Sequence, residues 1–261
     1  MGIDMDKGKN KKRILTLNID IISYSETLQK IVELATSRKP SYICFANVHM
    51  AIEAHQHQKF SEQVNNADLV LADGMPLVKS LRSFYGINQD RVAGMDLMPD
   101  VIKIAEERKL KIFFFGSSND LLEKIKLKAM QLYPGIEIAG TFSPPFDQPI
   151  NNSIYIDMIN NSNANIVLVA LGCPKQEKWM AENSGKIFSV VLGVGGAFAT
   201  FAGTVNRAPE FMRKVGLEWL FRLGQEPQRL FARYFKTNTR FIYLTLIEKL
   251  KSTFGNKNAF N

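Results

Sequence analysis

An α/β fold, with a largely parallel sheet flanked by helices, is what the sequence predicts, and three observations predict it. Short apolar runs alternate with helix-length amphipathic stretches over most of the chain. Two of those runs, IFFF at 112–115 and IVLVAL at 166–171, are apolar throughout rather than alternating, as strands covered on both faces should be. Gly, Pro and small polar residues collect just after the runs, where strands turn into helices. Together these describe a Rossmann-like, largely parallel sheet with helices on both sides, followed by a basic helical C-terminal appendage.

In chain order, residues 13–17, 42–46, 68–72, 111–115, 136–139, 165–171 and 188–192 read as strands, and helical patterns fill most of the gaps. The second strand is followed by Asn47, the third by Asp73-Gly74, and the fourth by Gly116-Ser117-Ser118. Gly172-Cys173-Pro174 follows the sixth and a glycine-rich stretch, 193–196, the last. Ligands of open α/β sheets bind at the carboxyl ends of strands, so these turns are where function is expected. From about Ala208 the pattern is helical only, with Pro209 and Pro227 as first-turn prolines and Lys or Arg at 213, 214, 222, 229, 233, 236 and 240.

A chain of 261 residues with 46% hydrophobic content can bury a large core, and one large domain is expected. Its expected divisions are a flexible N-terminal tail at 1–13, an α/β catalytic core at 14–206 and the basic helical appendage at 207–261. Cys44 and Cys173 are far apart in apolar or turn contexts, which reads as a reduced, cytoplasmic protein. The charged N-terminus has no apolar stretch of signal-peptide type. The net charge of +8 is concentrated at one end: residues 207–261 hold 11 Lys/Arg against 4 Asp/Glu, the rest 22 against 21. Such a block implies an anionic partner, whether nucleic acid, a lipid surface or a phosphorylated substrate. The apolar run at 241–247 falls well short of the roughly 20 residues that span a bilayer, but a helix lying on a membrane surface fits it.

Asp73, in Asp73-Gly74-Met75-Pro76, is either a carboxylate held out over the sheet edge or the N-cap of the following helix, and spacing does not separate the two. As a base it requires burial, because an unperturbed Asp titrates at about 3.9. Asn47 reads first as a helix cap, with ligand binding as the alternative. His49, His55 and His57 lie at spacings that put them on different helix faces, so metal binding is rejected. Gly116-Ser117-Ser118-Asn119 opens a helix and offers amides to phosphate, although it lacks the lysine of a P-loop. The 193–196 stretch is equally read as close backbone packing. Gln176 falls in the first turn of a helix begun by Pro174 and faces the strand ends, while Cys173 has no histidine near it in sequence and reads as structural.

Taken as an ordered set, several segments resemble the WecG/TagA/CpsF glycosyltransferases, family 26, over about residues 15–245. They are Asp73-Gly74-Met75-Pro76, Arg91-Val92-Ala93-Gly94-Met95-Asp96, Phe113-Phe114-Phe115-Gly116, Phe142-Ser143-Pro144-Pro145-Phe146, GCPKQEKW at 172–179, Arg207-Ala208-Pro209, GLEWLFR at 216–222 and Glu226-Pro227. The resemblance implies a bacterial enzyme that transfers a sugar with inversion from a UDP-sugar to a saccharide on undecaprenyl diphosphate, without a required metal or other cofactor. It implies Asp73 as general base, Asn47 and Gln176 at the sugar-nucleotide pocket with Arg91 beside them, and Arg222, Arg229 and Arg233 closing over the diphosphate. Phe45 and Ala199 stand where the family often has Thr and Asp. UDP-N-acetylmannosamine is the first donor expected, with UDP-glucose or UDP-glucuronic acid in exopolysaccharide synthesis as the alternative.

The expected partners are therefore the UDP-sugar, the lipid-diphosphate acceptor and an anionic membrane surface on the cytoplasmic side, with self-association left open. The rival reading, a nucleic-acid-binding protein using the basic tail, fits less well, because the tail's aromatics alternate with long aliphatics. A scaffold that binds lipid-linked sugar without catalysis is the other rival, and the presence of Asp73 argues against it.

Overall fold

The computed structural model describes residues 10–145 and 152–254, apart from the side chains of residues 152, 214, 229 and 252–254. The chain opens with an antiparallel hairpin of β1 (Lys11–Ile14) and β2 (Leu17–Asp20). Helix α1 (Tyr24–Ser37), strand β3 (Ser41–Ala46), helices α2 (Val48–Gln56) and α3 (Gln58–Asn65), and strand β4 (Leu69–Ala72) come next. They are followed by α4 (Met75–Tyr85), α5 (Gly94–Arg108), β5 (Ile112–Gly116), α6 (Asn119–Leu132), β6 (Ile138–Phe142) and α7 (Asn152–Asn161). The core closes with β7 (Ile166–Ala170), α8 (Lys175–Glu182), β8 (Val190–Gly193) and α9 (Ala197–Ala202). Three further helices complete the described chain: α10 (Glu210–Val215), α11 (Glu218–Gln225) and α12 (Pro227–Phe254).

Six strands form one parallel sheet in the order β4-β3-β8-β7-β5-β6. The unbroken apolar runs have a simple cause, since alternate side chains enter two separate cores. Tyr42, Cys44, Phe115, Val169 and Val191 pack on one face against residues of α2, α3, α7 and α8. Ile43, Phe45, Phe114, Leu168 and Leu192 pack on the other against α1, α5, α6 and α9. The sequence-predicted α/β class, parallel sheet and C-terminal helices are all present.

Helix starts follow local chemistry. Ser23 and Glu26 form a capping box on α1: the Glu26 amide donates to Ser23 Oγ at 3.2 Å, and the Ser23 amide donates to Glu26 Oε2 at 2.9 Å. Pro209 is the N-cap of α10, and Pro227 is the first residue of α12.

Two strand assignments change. Residues 13–17 are not one strand but the turn and flanks of the β1–β2 hairpin, where Leu15 takes a left-handed φ of 54°. Ile14, Leu15, Leu17 and Ile19 are all buried, so the run is apolar for packing reasons and carries no Gly or Asn to betray the turn. The hairpin starts at Lys11, so the last three residues of the expected tail are strand. The strand expected at 136–139 runs instead over Ile138–Phe142, with a register shift opposite Ile112 and Phe113. A Cβ on Gly140 would lie 2.6 Å from Cε2 of Phe113, so the glycine makes room for that ring.

An aromatic stack lies beneath the sheet's carboxyl edge. Phe115 is fully buried, with its ring stacked on Trp179 at 4.5 Å and on Phe142 at 6.1 Å, and Tyr155 edge-on at 5.8 Å. Phe115→Ala is expected to lower the unfolding free energy in a denaturant titration by about 3–5 kcal/mol.

Candidate active site

Parallel pairing delivers the first two groups. Ala46 and Ala72 are partners across β3 and β4, so the residues that follow, Asn47 and Asp73, emerge side by side. The amides of Asp73 and Gly74 both donate to the Ala46 carbonyl, at 2.9 and 3.2 Å. A Cβ on Gly74 would sit 3.4 Å from Cα of Asn47, so the two turns lie in van der Waals contact. Helix α4 takes Gly74 as its N-cap without a side-chain cap bond, which removes the capping reading of Asp73. Asn47 does cap α2, accepting from the Met50 amide at 3.2 Å, and this leaves its Nδ2 for the cavity.

The second wall comes from β7 and β8. Gln176, in the first turn of α8, accepts from the Gly172 amide at 3.2 Å and donates from Nε2 to the Gly193 carbonyl at 2.8 Å and to Glu177 Oε1 at 2.7 Å. Both amide hydrogens are thus committed to the protein, and Oε1 keeps one lone pair for a ligand. Gly193 and Gly195 pack against this side chain, the latter with φ 50°. The glycine stretch is therefore close packing around Gln176.

The third wall is the C-terminal segment. Glu218, Trp219 and Arg222 of α11 and Arg233, Tyr234 and Thr237 of α12 close a cavity of about 530 Å³ with Asn47, Asp73, Arg91 and Gln176. Arg222 crosses to the glycine turn, its Nη2 3.3 Å from where a Cβ on Gly196 would lie. Beyond it a second cavity of about 210 Å³ is lined by Ser117, Ala170, Ala199, Arg222 and Glu226. Ser118 caps α6. Of the residues predicted from sequence, six therefore meet in one cavity, while the side chain of Arg229 in α12 lies outside the described residues.

Other groups escaped the sequence reading. His49 was weighed only as a metal ligand, yet it lines the cavity with a buried Nδ1 that has no hydrogen-bond partner among the described residues. Burial and the nearby Arg233 lower its pKa, keeping the ring neutral. Glu177 is fully buried behind Gln176, and burial raises it to about 7 against the Gln176 hydrogen bond. Glu218 and Asp96 were visible only as letters inside motifs. Among the described residues no group of three or more His, Cys, Asp or Glu side chains is arranged to hold a metal ion.

Asp73 is the chemically distinctive group. Its carboxyl makes no side-chain hydrogen bond among the described residues, and burial raises its pKa to about 7; Arg91 and Arg222 oppose the shift, Glu218 and Asp96 add to it. A group whose folded pKa lies above its unfolded value contributes stability below the unfolded value, here 3.8, and loses it as pH rises through about 7. Asp73→Asn is accordingly expected to raise the melting temperature at pH 8 and to leave it close to wild type at pH 4. Equal shifts at both pH values would contradict the raised pKa.

The sequence profile of the family described as Glycosyl transferase WecG/TagA/CpsF matches residues 12–255. A protein of Bacillus subtilis (strain 168) is 30% identical over 215 residues, covering 82% of each chain. One from Bacillus spizizenii is 33% identical over 193 residues, covering 73% of this chain and 74% of the relative. One from Staphylococcus aureus (strain MW2) is 27% identical over 233 residues, covering 88% and 91%. All three are named N-acetylglucosaminyldiphosphoundecaprenol N-acetyl-beta-D-mannosaminyltransferase. With a cavity at the strand ends, an unpaired carboxyl in it and a match along nearly the whole described chain, this protein belongs to the WecG/TagA/CpsF family of glycosyltransferases.

Proposed function

We propose that this protein transfers an N-acetylmannosaminyl group, with inversion, from a UDP-sugar to N-acetylglucosaminyldiphosphoundecaprenol in cell-surface polysaccharide or teichoic acid synthesis. One observation carries the reading: Asp73 presents a carboxyl that titrates near neutrality in the cavity that Arg222 and Arg233 also line. The relatives' names supply the sugar and the acceptor.

In this reading the acceptor hydroxyl lies against Asp73, which takes its proton as the oxygen attacks the anomeric carbon. The new C–O bond forms as the bond to the β-phosphate breaks, and the electron pair leaves with UDP. Transfer with inversion needs one displacement and one base, and Asp73 is the cavity carboxyl raised to about 7 that keeps partial exposure. Arg222 and Arg233, with Arg229 nearby in sequence, hold the diphosphate where charge builds. Those guanidinium groups supply the positive charge, so the reaction proceeds without a metal cofactor. Asn47 Nδ2 and Gln176 Oε1 contact the donor, while Arg91 stands at the rim.

A lipid-linked acceptor and a nucleotide-sugar donor together support a position on the cytoplasmic face of the membrane. No helix among the described residues is long and apolar enough to cross it. Surface attachment is supported by large apolar side chains left exposed on the C-terminal helices, among them Phe211, Phe231, Phe235 and Tyr243 at 62–69%. Basic residues accompany them.

Transfer by Asp73→Asn is expected to fall about 10²–10⁴-fold, and wild-type kcat/KM is expected to rise with pH to a plateau above about 7. Undiminished UDP release by the variant would sink the base assignment, and a rate abolished by EDTA and restored by a divalent cation would sink the metal-free mechanism. UDP-glucose or UDP-glucuronic acid outperforming UDP-N-acetylmannosamine in the same assay would reassign the sugar. Full-length protein is further expected to float with phosphatidylglycerol vesicles, less so at high salt, and a chain ending at residue 206 to lose both flotation and transfer.

A further inference from the structure

Helix α11 is held in place in an unusual way. Its only buried residue is an acid, Glu218, at 8% exposure, whereas Trp219 and Leu220 stand 39% and 45% exposed. A helix of eight residues is not stable alone and normally docks through an apolar face. A buried carboxylate is costly unless it is paired. Glu218 is paired: Arg91 Nη1 donates to its Oε2 at 2.7 Å, and Arg91 Nη2 donates to Asp96 Oδ2, also at 2.7 Å. Asp96 Oδ1 in turn accepts from Arg207 and, at 3.3 Å, from Arg213.

These five side chains span two parts of the chain. Arg91 and Asp96 belong to the core, just before and within the first turn of α5. Arg207, Arg213 and Glu218 belong to the segment that forms the third wall of the cavity. Arg222 lies four residues after Glu218, hence on the same face of α11. The side chain that anchors the helix and the side chain that reaches the glycine turn are therefore fixed together.

We propose that Glu218 is a positioning residue for the transfer reaction: its ion pair with Arg91, braced by Asp96, sets the seat of α11 and so places Arg222 over the cavity. The proposal rests on the proposed function for its substrate, and it reassigns Arg91 from a donor contact to the core half of a latch. Both terminal nitrogens of Arg91 are already donated to carboxylates. The latch also bears on Asp73, which faces Arg91 from the loop before α5, Asp96 from α5, and Glu218 and Arg222 from α11. His49 of α2, Cys173 of the turn after β7, Glu177 of α8, and Arg233 and Tyr234 of α12 are the other charged or titratable groups of the surrounding wall.

The full-length protein offers a signal for the seat that is independent of substrate. Of its two tryptophans, Trp179 is 2% exposed in the core and Trp219 follows Glu218 on α11, so acrylamide quenching reads chiefly Trp219. Glu218→Gln is expected to increase quenching, to lower kcat/KM for the UDP-sugar by about ten-fold with kcat falling, and to shift the acid limb of the pH profile downward. The shift follows because one of two carboxylates that raise Asp73 is neutralised and a displaced α11 admits water to it, while Arg91 remains on the core. In an Arg222→Ala background the same substitution is expected to change kcat/KM by no more than about two-fold, since its effect runs through Arg222.

Unchanged quenching in Glu218→Gln overturns the latch. Increased quenching with wild-type kcat/KM, or the full loss repeated in the Arg222→Ala background, overturns the positioning role. Should Glu218→Gln not fold, Glu218→Asp, which keeps the charge and shortens the reach, carries the same comparison. A wild-type protein that transferred no sugar from any UDP-sugar would defeat the proposed function, while quenching would still decide the seat of α11.

Discussion

The pairing of parallel strands that end at one level is the constraint on which the site depends. Ala46 opposite Ala72 sets Asn47 beside Asp73, and Val169 opposite Gly193 brings the turn after β7 level with the turn after β8. Parallel strands allow this because each hands its chain to a helix at the same edge, leaving a row of turns rather than hairpins. A slip of one residue in β4 would exchange the faces of Leu71 and Ala72 between the two cores, so the apolar pattern that fills those cores also fixes Asp73. Packing and chemistry are set by the same register.

The carboxyl placed there is one the fold does not need. Asp73 caps nothing, and its environment favours the protonated form. Glu177 is a useful contrast, an acid raised to a similar value but fully buried and bonded to Gln176, where Asp73 is half-buried. Both line the cavity, but Asp73 keeps partial exposure to it, whereas Glu177 props up the side chain that holds two glycine turns together. Burial alone does not distinguish a reacting group from a structural one; what each carboxyl faces does.

Much of the core was legible in the sequence, because strands with two buried faces cannot avoid being apolar at every position. The hairpin was not, since Leu15 turns the chain without a residue that favours a turn. Nor was the start of β6, because the Ile136 amide still closes a turn on the Tyr133 carbonyl and pairing begins only at Ile138. In the site, Asp73, Asn47 and Gln176 stood out because they follow strands in predictable turns. Glu218 and Asp96 did not, because their meaning lies in a contact 127 residues apart, between Arg91 and Glu218, which no local spacing encodes. Arg91 was legible as part of the site, but its partners were not.

The C-terminal charge also changes meaning once its residues are placed. Counted from sequence, 11 Lys/Arg against 4 Asp/Glu in residues 207–261 look like one basic surface for an anionic partner. Arg207 and Arg213 are committed to Asp96 in the core, and Arg222 and Arg233 line the cavity. At about 1 kcal/mol per basic residue near an anionic membrane, the lipid attraction deduced from the whole count is too large by those four. In the proposed attachment, the exposed aromatic and aliphatic side chains of α10 and α12 therefore take a larger share, with charge concentrating the protein at the surface and apolar insertion holding it. The same segment divides its arginines between the core and the cavity, so the closing wall of the site and the proposed membrane-facing surface occupy a single stretch of chain.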